Sequence, residues 1–370
     1  MPRTAVARAR RLVVKVGSSS LTTPRGGLDP SRLTALVEAL AARHHRDTQL
    51  VLVSSGAIAA GMGPLGLVKR PRDLATQQAA ASVGQGALVA AYQHLFGIYG
   101  LTVGQVLLTA DDVTRRAHYT NAQRTLERLL DLGIVPIVNE NDTVATHEIR
   151  FGDNDRLAAR VAQAARASAV LLLSDVDGLY DRNPAEPGAK LLAEVRGVTP
   201  EVHAMATGGS SSGMGSGGMT SKLQAAEIAE LAGIALVIGS GLHPAPIARV
   251  TGRGIGTLFR PRRKAGARKA WLGGRLRLKG ALLVDAGAAA ALGRGSSLLA
   301  AGITGVEGDF QRGDAVAIRD GEGRVLAHGL AEYDAVECTR LIGRQSAEQA
   351  AILGYAPRSA VVHRDQLVLL

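Results

Sequence analysis

Cysteine is nearly absent: Cys338 is the only one in 370 residues. That excludes an internal disulfide framework and a cysteine-rich zinc site, and it fits a reducing cytoplasm. Aromatic residues are scarce at 3%, which leaves few platforms for stacking single-stranded bases. Long apolar runs are also missing. No stretch approaches the roughly 20 residues of a membrane span. The run Leu12-Val-Val, behind the basic residues Arg3, Arg8, Arg10 and Arg11, is cut off at Lys15 and is too short for the core of a signal peptide.

Against these absences stand 46% hydrophobic and 20% charged residues, a globular balance in a chain long enough for two domains. The net charge of +11 admits nucleic acid, anionic substrates or a merely arginine-rich composition. The shortage of aromatics weakens the first of these.

The densest chemistry lies at Asn139 to Arg156, which packs amides and carboxylates around a short apolar interlude. The preceding Gly133-Ile-Val-Pro-Ile-Val is short, apolar and β-branched, so it predicts a buried strand with Asn139 to Asp142 at its C-terminal end. Ligands of open α/β sheets bind at such ends. Thr143 to Phe151 alternates as a small hairpin would, and Gly152 delivers Asp153-Asn154-Asp155 to the start of a helix. Asp142 and Asp155 also suit plain turn and capping roles. Two such clusters beside core elements exceed what capping needs, and point to a polar small-molecule site.

The rest of the chain alternates strand and helix. A strand over Arg11 to Val16 ends in Lys15-Val-Gly-Ser-Ser-Ser, a lysine beside a small-residue turn whose free amides suit phosphate as well as plain structure. Asp29-Pro30 opens a helix with Leu33, Leu36, Val37 and Leu40 on its core face. The strand Leu50 to Val53 runs into a second small-residue turn. There Ser55, Gly56 and Ala57 either make a tight connection or offer amides and a hydroxyl to a carboxylate. Helices are expected over Leu74 to Tyr99 and Tyr119 to Leu132, and strands over Val103 to Leu108, Ala169 to Leu173 and Ile234 to Ile238. This pattern predicts a mostly parallel sheet covered on both faces. Ser174-Asp175 then falls at another strand's C-terminal end, as a solvated turn or a nucleotide contact.

Gly208 to Lys222 is rich in glycine and serine and leads into a helical run. Its G-x-G-x-x-G match at Gly213, Gly215 and Gly218 lacks the preceding strand that a dinucleotide fingerprint requires. Nor is it a Walker A loop, since Ser221 precedes Lys222 and Leu223 follows it. A flexible anion-binding loop remains, its terminal lysine opening a helix whose amides and dipole suit phosphate; a plain linker is the alternative. Arg260 to Lys269 forms a basic run broken by Pro261 and Gly266. The expected organisation is an α/β domain over 1–262, a basic linker over 263–275 and a small β-rich domain over 276–370, with a hairpin turning at Asp320-Gly-Glu-Gly.

The ordered set Val14-Lys-Val-Gly-Ser-Ser, Val53-Ser-Ser-Gly-Ala-Ile, Asn139-Glu-Asn-Asp, Phe151-Gly-Asp-Asn-Asp, Ser174-Asp and Ser216-Gly-Gly-Met-Thr-Ser-Lys resembles the glutamate-phosphorylating branch of the amino-acid kinase family. Gly295-Ser-Ser-Leu-Leu, Gly305-Val-Glu-Gly-Asp-Phe and Ile352-Leu-Gly-Tyr resemble the PUA domain carried by that branch. The resemblance covers nearly the whole chain and implies ATP- and Mg²⁺-dependent phosphorylation of the side-chain carboxylate of L-glutamate, the first step of proline synthesis. It implies that Lys15 and Lys222 stabilise the transferring phosphoryl group while Asp155 holds both lysines. Ser55, Gly56, Ala57, Asp142 and Asn154 would bind glutamate. Lys15, Ser174, Asp175, Ser216, Gly217, Gly218, Met219, Thr220, Ser221 and Lys222 would bind ATP. Ser174 stands where threonine is common in the family, and the hydroxyl is kept. Ser210 to Met214 has no assigned role.

The resemblance further implies proline as feedback inhibitor, a homo-oligomer, and hand-over of an unstable product to glutamate-5-semialdehyde dehydrogenase. The PUA domain and the positive charge raise RNA as a further partner, and an amino-acid sensor without activity is the third reading. Lys15, Lys222 and Asp155 together argue for the enzyme.

Overall fold

The computed structural model describes residues 6–23, 27–109, 112–113, 116–144, 154–206, 218–243, 246–248, 255–260, 278–355 and 358–369. The chain divides into two compact units, Met1–Lys264 and Ala265–Leu370. The expected linker 263–275 and most of the expected hairpin after Thr143 lie outside the described residues.

In the first unit, β1 (Arg11–Val16), α1 (Pro30–His44), β2 (Gln49–Ser54), α2 (Ala57–Met62), α3 (Leu74–Ile98), β3 (Val103–Leu108), α4 (Arg116–Asp131) and β4 (Val135–Glu140) are followed by α5 (Asn154–Ala164) and β5 (Ala169–Ser174). Then come β6 (Glu194–Val195), α6 (Pro200–Met205), α7 (Met219–Leu231), β7 (Ala235–Ser240) and β8 (Thr257–Phe259). Asp29 caps α1 as its sequence suggests, accepting from the amides of Ser31 and Arg32 with Pro30 at the first position.

The strands form one eight-stranded sheet in the order β3-β4-β2-β1-β5-β7-β8-β6. The strands from β3 to β7 in that order run parallel, whereas β8 pairs antiparallel to β7. This antiparallel strand of three residues, set between β7 and the edge strand β6, is too short to register in the sequence pattern.

Strand alternation sends neighbouring side chains to opposite faces. Leu12 and Val14 pack with Leu52, Leu88 and Tyr92 in one core. Val13 packs with Val51, Leu157 and Leu223 in the other, beneath α5 and α7. Lys15 shares the side of Val13, so the core pattern itself aims this lysine at those two helices.

Helices α2 and α3 touch through glycine. A Cβ at Gly61 would lie 1.9 Å from the Ala80 carbonyl oxygen, and one at Gly84 only 1.8 Å from that of Ala57. Gly84 therefore sets how deeply the turn Ser55 to Ala57 sits. Gly84→Ala is expected to lower the melting temperature by about 3–10 °C through overpacking, which thermal unfolding checks.

The second unit contains β9 (Gly280–Val284), α8 (Ala286–Gly293), β10 (Leu298–Leu299), β11 (Ile303–Gly308), β12 (Ala315–Arg319), β13 (Val325–Leu330), α9 (Ala335–Leu341), α10 (Gln349–Leu353), β14 (Ala360–Val362) and β15 (Leu367–Leu369). Its main sheet runs β11-β9-β12-β13-β15, and β12 and β13 form the expected hairpin. Cys338 is buried in this core beside Tyr333 and Leu341. Burial, then the charges of Asp334 and Glu337, push its thiol up to about 12, so it stays protonated and packs as a small apolar residue.

Candidate active site

The site lies at the C-terminal ends of the central strands, and Asp155 is its centre. This residue stands in the first turn of α5 and is wholly buried. One carboxylate oxygen, Oδ1, is 2.6 Å from Lys15 Nζ, and the other, Oδ2, is 3.1 Å from Lys222 Nζ. Both lysines are themselves buried, so three ionised groups carrying a net single positive charge sit out of water. Burial alone would raise the Asp155 pKa, but the charge of Lys15, then that of Lys222, outweighs it and draws the carboxyl down to about 2. It is therefore ionised at neutral pH.

Ser221 adds a fourth member. Its Oγ is 3.2 Å from Asp155 Oδ2 and 2.8 Å from the Gly218 carbonyl oxygen, and its single proton serves one of them at a time. Helix α7 begins at Met219 with Gly218 as its N-cap and no side chain capping it among the described residues. Its first-turn amides, in Met219, Thr220 and Ser221, face the same end as Lys222. A helix N-terminus so arranged favours an anion. Ser216 and Gly217, expected in the same loop, lie outside the described residues.

On the other side of Asp155 the neighbouring Asn154 organises a hydrogen-bonded polar cluster. Its Nδ2 lies 2.9 Å from Ser55 Oγ and 2.9 Å from Asn139 Oδ1. Gly56 takes φ +106°, a left-handed conformation that favours glycine, and Ala57 starts α2. The structure thus brings Ser55 against Asn154, with Gly56 and Ala57 next in the chain. Asp142 lies past the end of β4, where with Gln85, Gln105, Glu140 and Thr143 it lines a cavity of about 300 Å³. Ser174 ends β5, beside β1, and donates to Asp175 Oδ1 at 2.9 Å.

Sequence reasoning placed Asn139 in the cluster but gave it no role, and it missed Gln85 altogether. Asn139 Nδ2 donates to Gln85 Oε1 at 2.7 Å, and Asn139 Oδ1 also accepts from the Glu140 amide at 2.9 Å. The Ser54 hydroxyl meets the buried Tyr92 hydroxyl at 2.8 Å. Gln85 and Tyr92 belong to the alanine-rich α3, where nothing in the local pattern separates a site residue from a packing one.

Two buried lysines bridged by an aspartate, a helix N-terminus, and a polar pocket alongside make a site for joining an anionic phosphoryl donor to an anionic acceptor. The amino acid kinase family model matches residues 10–240, and the PUA domain model matches 280–353. The chain belongs to the amino acid kinase family. Among curated relatives it is 62% identical to the glutamate 5-kinase of Novosphingobium aromaticivorans over 361 residues, covering 97% of this chain and 96% of that one. It is 56% identical to the glutamate 5-kinase of Streptomyces coelicolor over 370 residues, covering 100% and 98%. Among solved structures, carbamate kinase from Giardia lamblia bound to AMP-PNP superposes with a TM-score of 0.50 at 14% identity, covering 69% of this chain and 100% of that one. That likeness concerns the fold.

Proposed function

We propose that the chain is a glutamate 5-kinase, transferring the γ-phosphoryl group of ATP to the side-chain carboxylate of L-glutamate. The observation that carries the chemistry is the carboxylate of Asp155 held 2.6 Å from Lys15 Nζ and 3.1 Å from Lys222 Nζ. The substrate follows from the full-length relatives.

A glutamate carboxylate, with an ordinary pKa of about 4.3, is already ionised at neutral pH, so its attack on phosphorus needs no general base. The barrier lies in bringing two anions together. Lys15 and Lys222 lower it by facing the phosphoryl oxygens, and Asp155 keeps both ammonium groups charged and fixed before the reaction. The amides of Met219 to Lys222 hold the phosphates, and Ser174 and Asp175 bind the nucleotide nearby. Ser55 to Ala57 cradle one end of glutamate; Asn154 and Asp142 hold the other.

Mg²⁺ would be carried by ATP and would supply charge neutralisation at the phosphates. Both Asp155 oxygens are taken by ammonium groups, and no cluster of three or more His, Cys, Asp or Glu able to hold a metal occurs among the described residues.

An ATP-dependent hydroxylamine trap tests the reading, because hydroxylamine converts an acyl phosphate to its hydroxamate. A signal with L-glutamate, and none with L-aspartate, N-acetylglutamate or no acid, is expected. A signal with another acid would keep the chemistry and move the substrate. No signal from folded protein that binds ATP would overturn the proposal. Asp142→Asn is expected to raise the glutamate KM at least tenfold while moving the ATP KM little, because a neutral amide only half replaces a carboxylate opposite the α-ammonium group. An unchanged glutamate KM would remove Asp142 from the site.

The proposal extends to proline as feedback inhibitor, read as loss of the hydroxamate signal. It also includes a homo-oligomer, hand-over to glutamate-5-semialdehyde dehydrogenase, and a cytoplasmic location; no helix among the described residues is long and apolar enough to cross a membrane. The PUA match and the +11 charge favour RNA as a secondary partner. Salt-dependent RNA affinity is its measurable sign.

A further inference from the structure

Asn154 is 7% exposed, and its Oδ1 is buried without a hydrogen-bond partner among the described residues. A buried amide oxygen left in this state is unfavourable, so such atoms mark a ligand's place or a bound water. An oxygen acceptor suits a donor, and a cationic one best. What decides which way the Asn154 amide faces is a chain of amides running back to α3.

The chain has one fixed sense. The backbone N–H of Glu140 can only donate, and it lies 2.9 Å from Asn139, so that end of the Asn139 amide must be Oδ1. The same Oδ1 then faces the Asn154 amide at 2.9 Å, which must be nitrogen there, and Asn154 Oδ1 is turned the other way. The opposite end of Asn139 is its Nδ2, which needs an acceptor. Gln85 Oε1, at 2.7 Å, is the one it has. A donor or an apolar group at position 85 would strand Nδ2 and release the anchor on Asn139.

We propose that Gln85 is a positioning residue for amino-acid recognition: by holding Asn139 it fixes Asn154 with its carbonyl oxygen toward the pocket, where that oxygen accepts from the substrate's α-ammonium group. Gln85 acts in this proposal through Asn139, whose Nδ2 it accepts at 2.7 Å. Its side chain lies 54 residues from Asn139 in the sequence, on α3, directly after the close-packed Gly84. The two neighbours divide the work. Gly84 sets the depth of the Ser55 to Ala57 turn; the Glu140 amide sets the sense of the relay, and Gln85 anchors its far end.

The inference rests on glutamate as substrate, and the test separates the two. Wild-type protein is assayed with L-glutamate and with glutarate, which keeps both carboxylates and lacks only the α-amino group. If the wild type phosphorylates neither, the functional reading fails; the inference is tested once L-glutamate turns over. Gln85→Met keeps length and removes the acceptor, whereas Gln85→Glu keeps an acceptor for Asn139. Gln85→Met is expected to cut the kcat/KM preference for L-glutamate over glutarate about tenfold, through the glutamate KM, with the glutarate kcat/KM within about twofold of wild type. Gln85→Glu is expected to recover most of that preference. Equal losses on both acids in Gln85→Met would mean a merely structural role. An unchanged preference, or equal impairment in both variants, would also overturn the assignment.

Discussion

Asparagine at position 155 is expected to abolish turnover and to lower the melting temperature of the protein by about 6–15 °C. The side chain is nearly isosteric, so packing is kept and only the charge goes. What is left behind is the problem: Lys15 and Lys222, 6% and 4% exposed, keep their buried ammonium groups but lose the carboxylate that both face. Breaking one partner out of a buried ion pair costs about 3–5 kcal/mol, which corresponds to a shift of that size in a unit of this length.

The pH dependence carries a sign. The Asp155 carboxyl is drawn down from its ordinary 3.8 to about 2 in the folded protein. A depressed carboxyl contributes stability that is fully present above its unfolded value and is lost as pH falls toward its folded value. The difference in melting temperature between wild type and Asp155→Asn should therefore be constant from pH 8 to about 5 and shrink below about 4. Combining Asp155→Asn with Lys222→Met removes one stranded cation and should restore part of the stability but none of the turnover. A variant that melts with the wild type at pH 7 would falsify the account of the triad.

Much of this geometry was legible in the residues, and the reason is periodicity. Alternation in Leu12 to Val16 put Lys15 on the face of Val13, and the helix-start signal at Asp153-Asn154-Asp155 put Asp155 in a first turn. Short apolar β-branched runs declared the parallel strands because buried strands have few other compositions. Gln85 was not legible. Its place in the site depends on contact between α3 and the end of β4, across 54 residues of chain, and one polar residue among several on an alanine-rich helix looks solvent-facing until that contact is known. Helix α2 escaped for a related reason: six residues, two of its neighbours glycine, and an approach to α3 so close that only Gly61 and Gly84 allow it. Tertiary packing, not local propensity, made both.

Lys222→Met separates catalysis from architecture. Methionine retains most of the lysine stem, so the packing of α7 against α5 is kept, and Lys15 still balances Asp155. The melting temperature is expected to stay within a few degrees of wild type. Turnover is not: removing one preorganised cation from a site that works by charge neutralisation costs on the order of 10²–10³ in kcat. The loss should fall mainly on kcat, because the lysine meets developing charge on the transferring group. The glutamate KM should change little, since Ser55, Asn139 and Asn154 form a separate hydrogen-bonded set. Single-turnover phosphoryl transfer, measured on protein whose thermal unfolding confirms the fold, distinguishes this from slow product release. A folded Lys222→Met protein with a near-normal chemical step would mean that the phosphoryl group is stabilised elsewhere, and Lys222 would then serve only to hold Asp155.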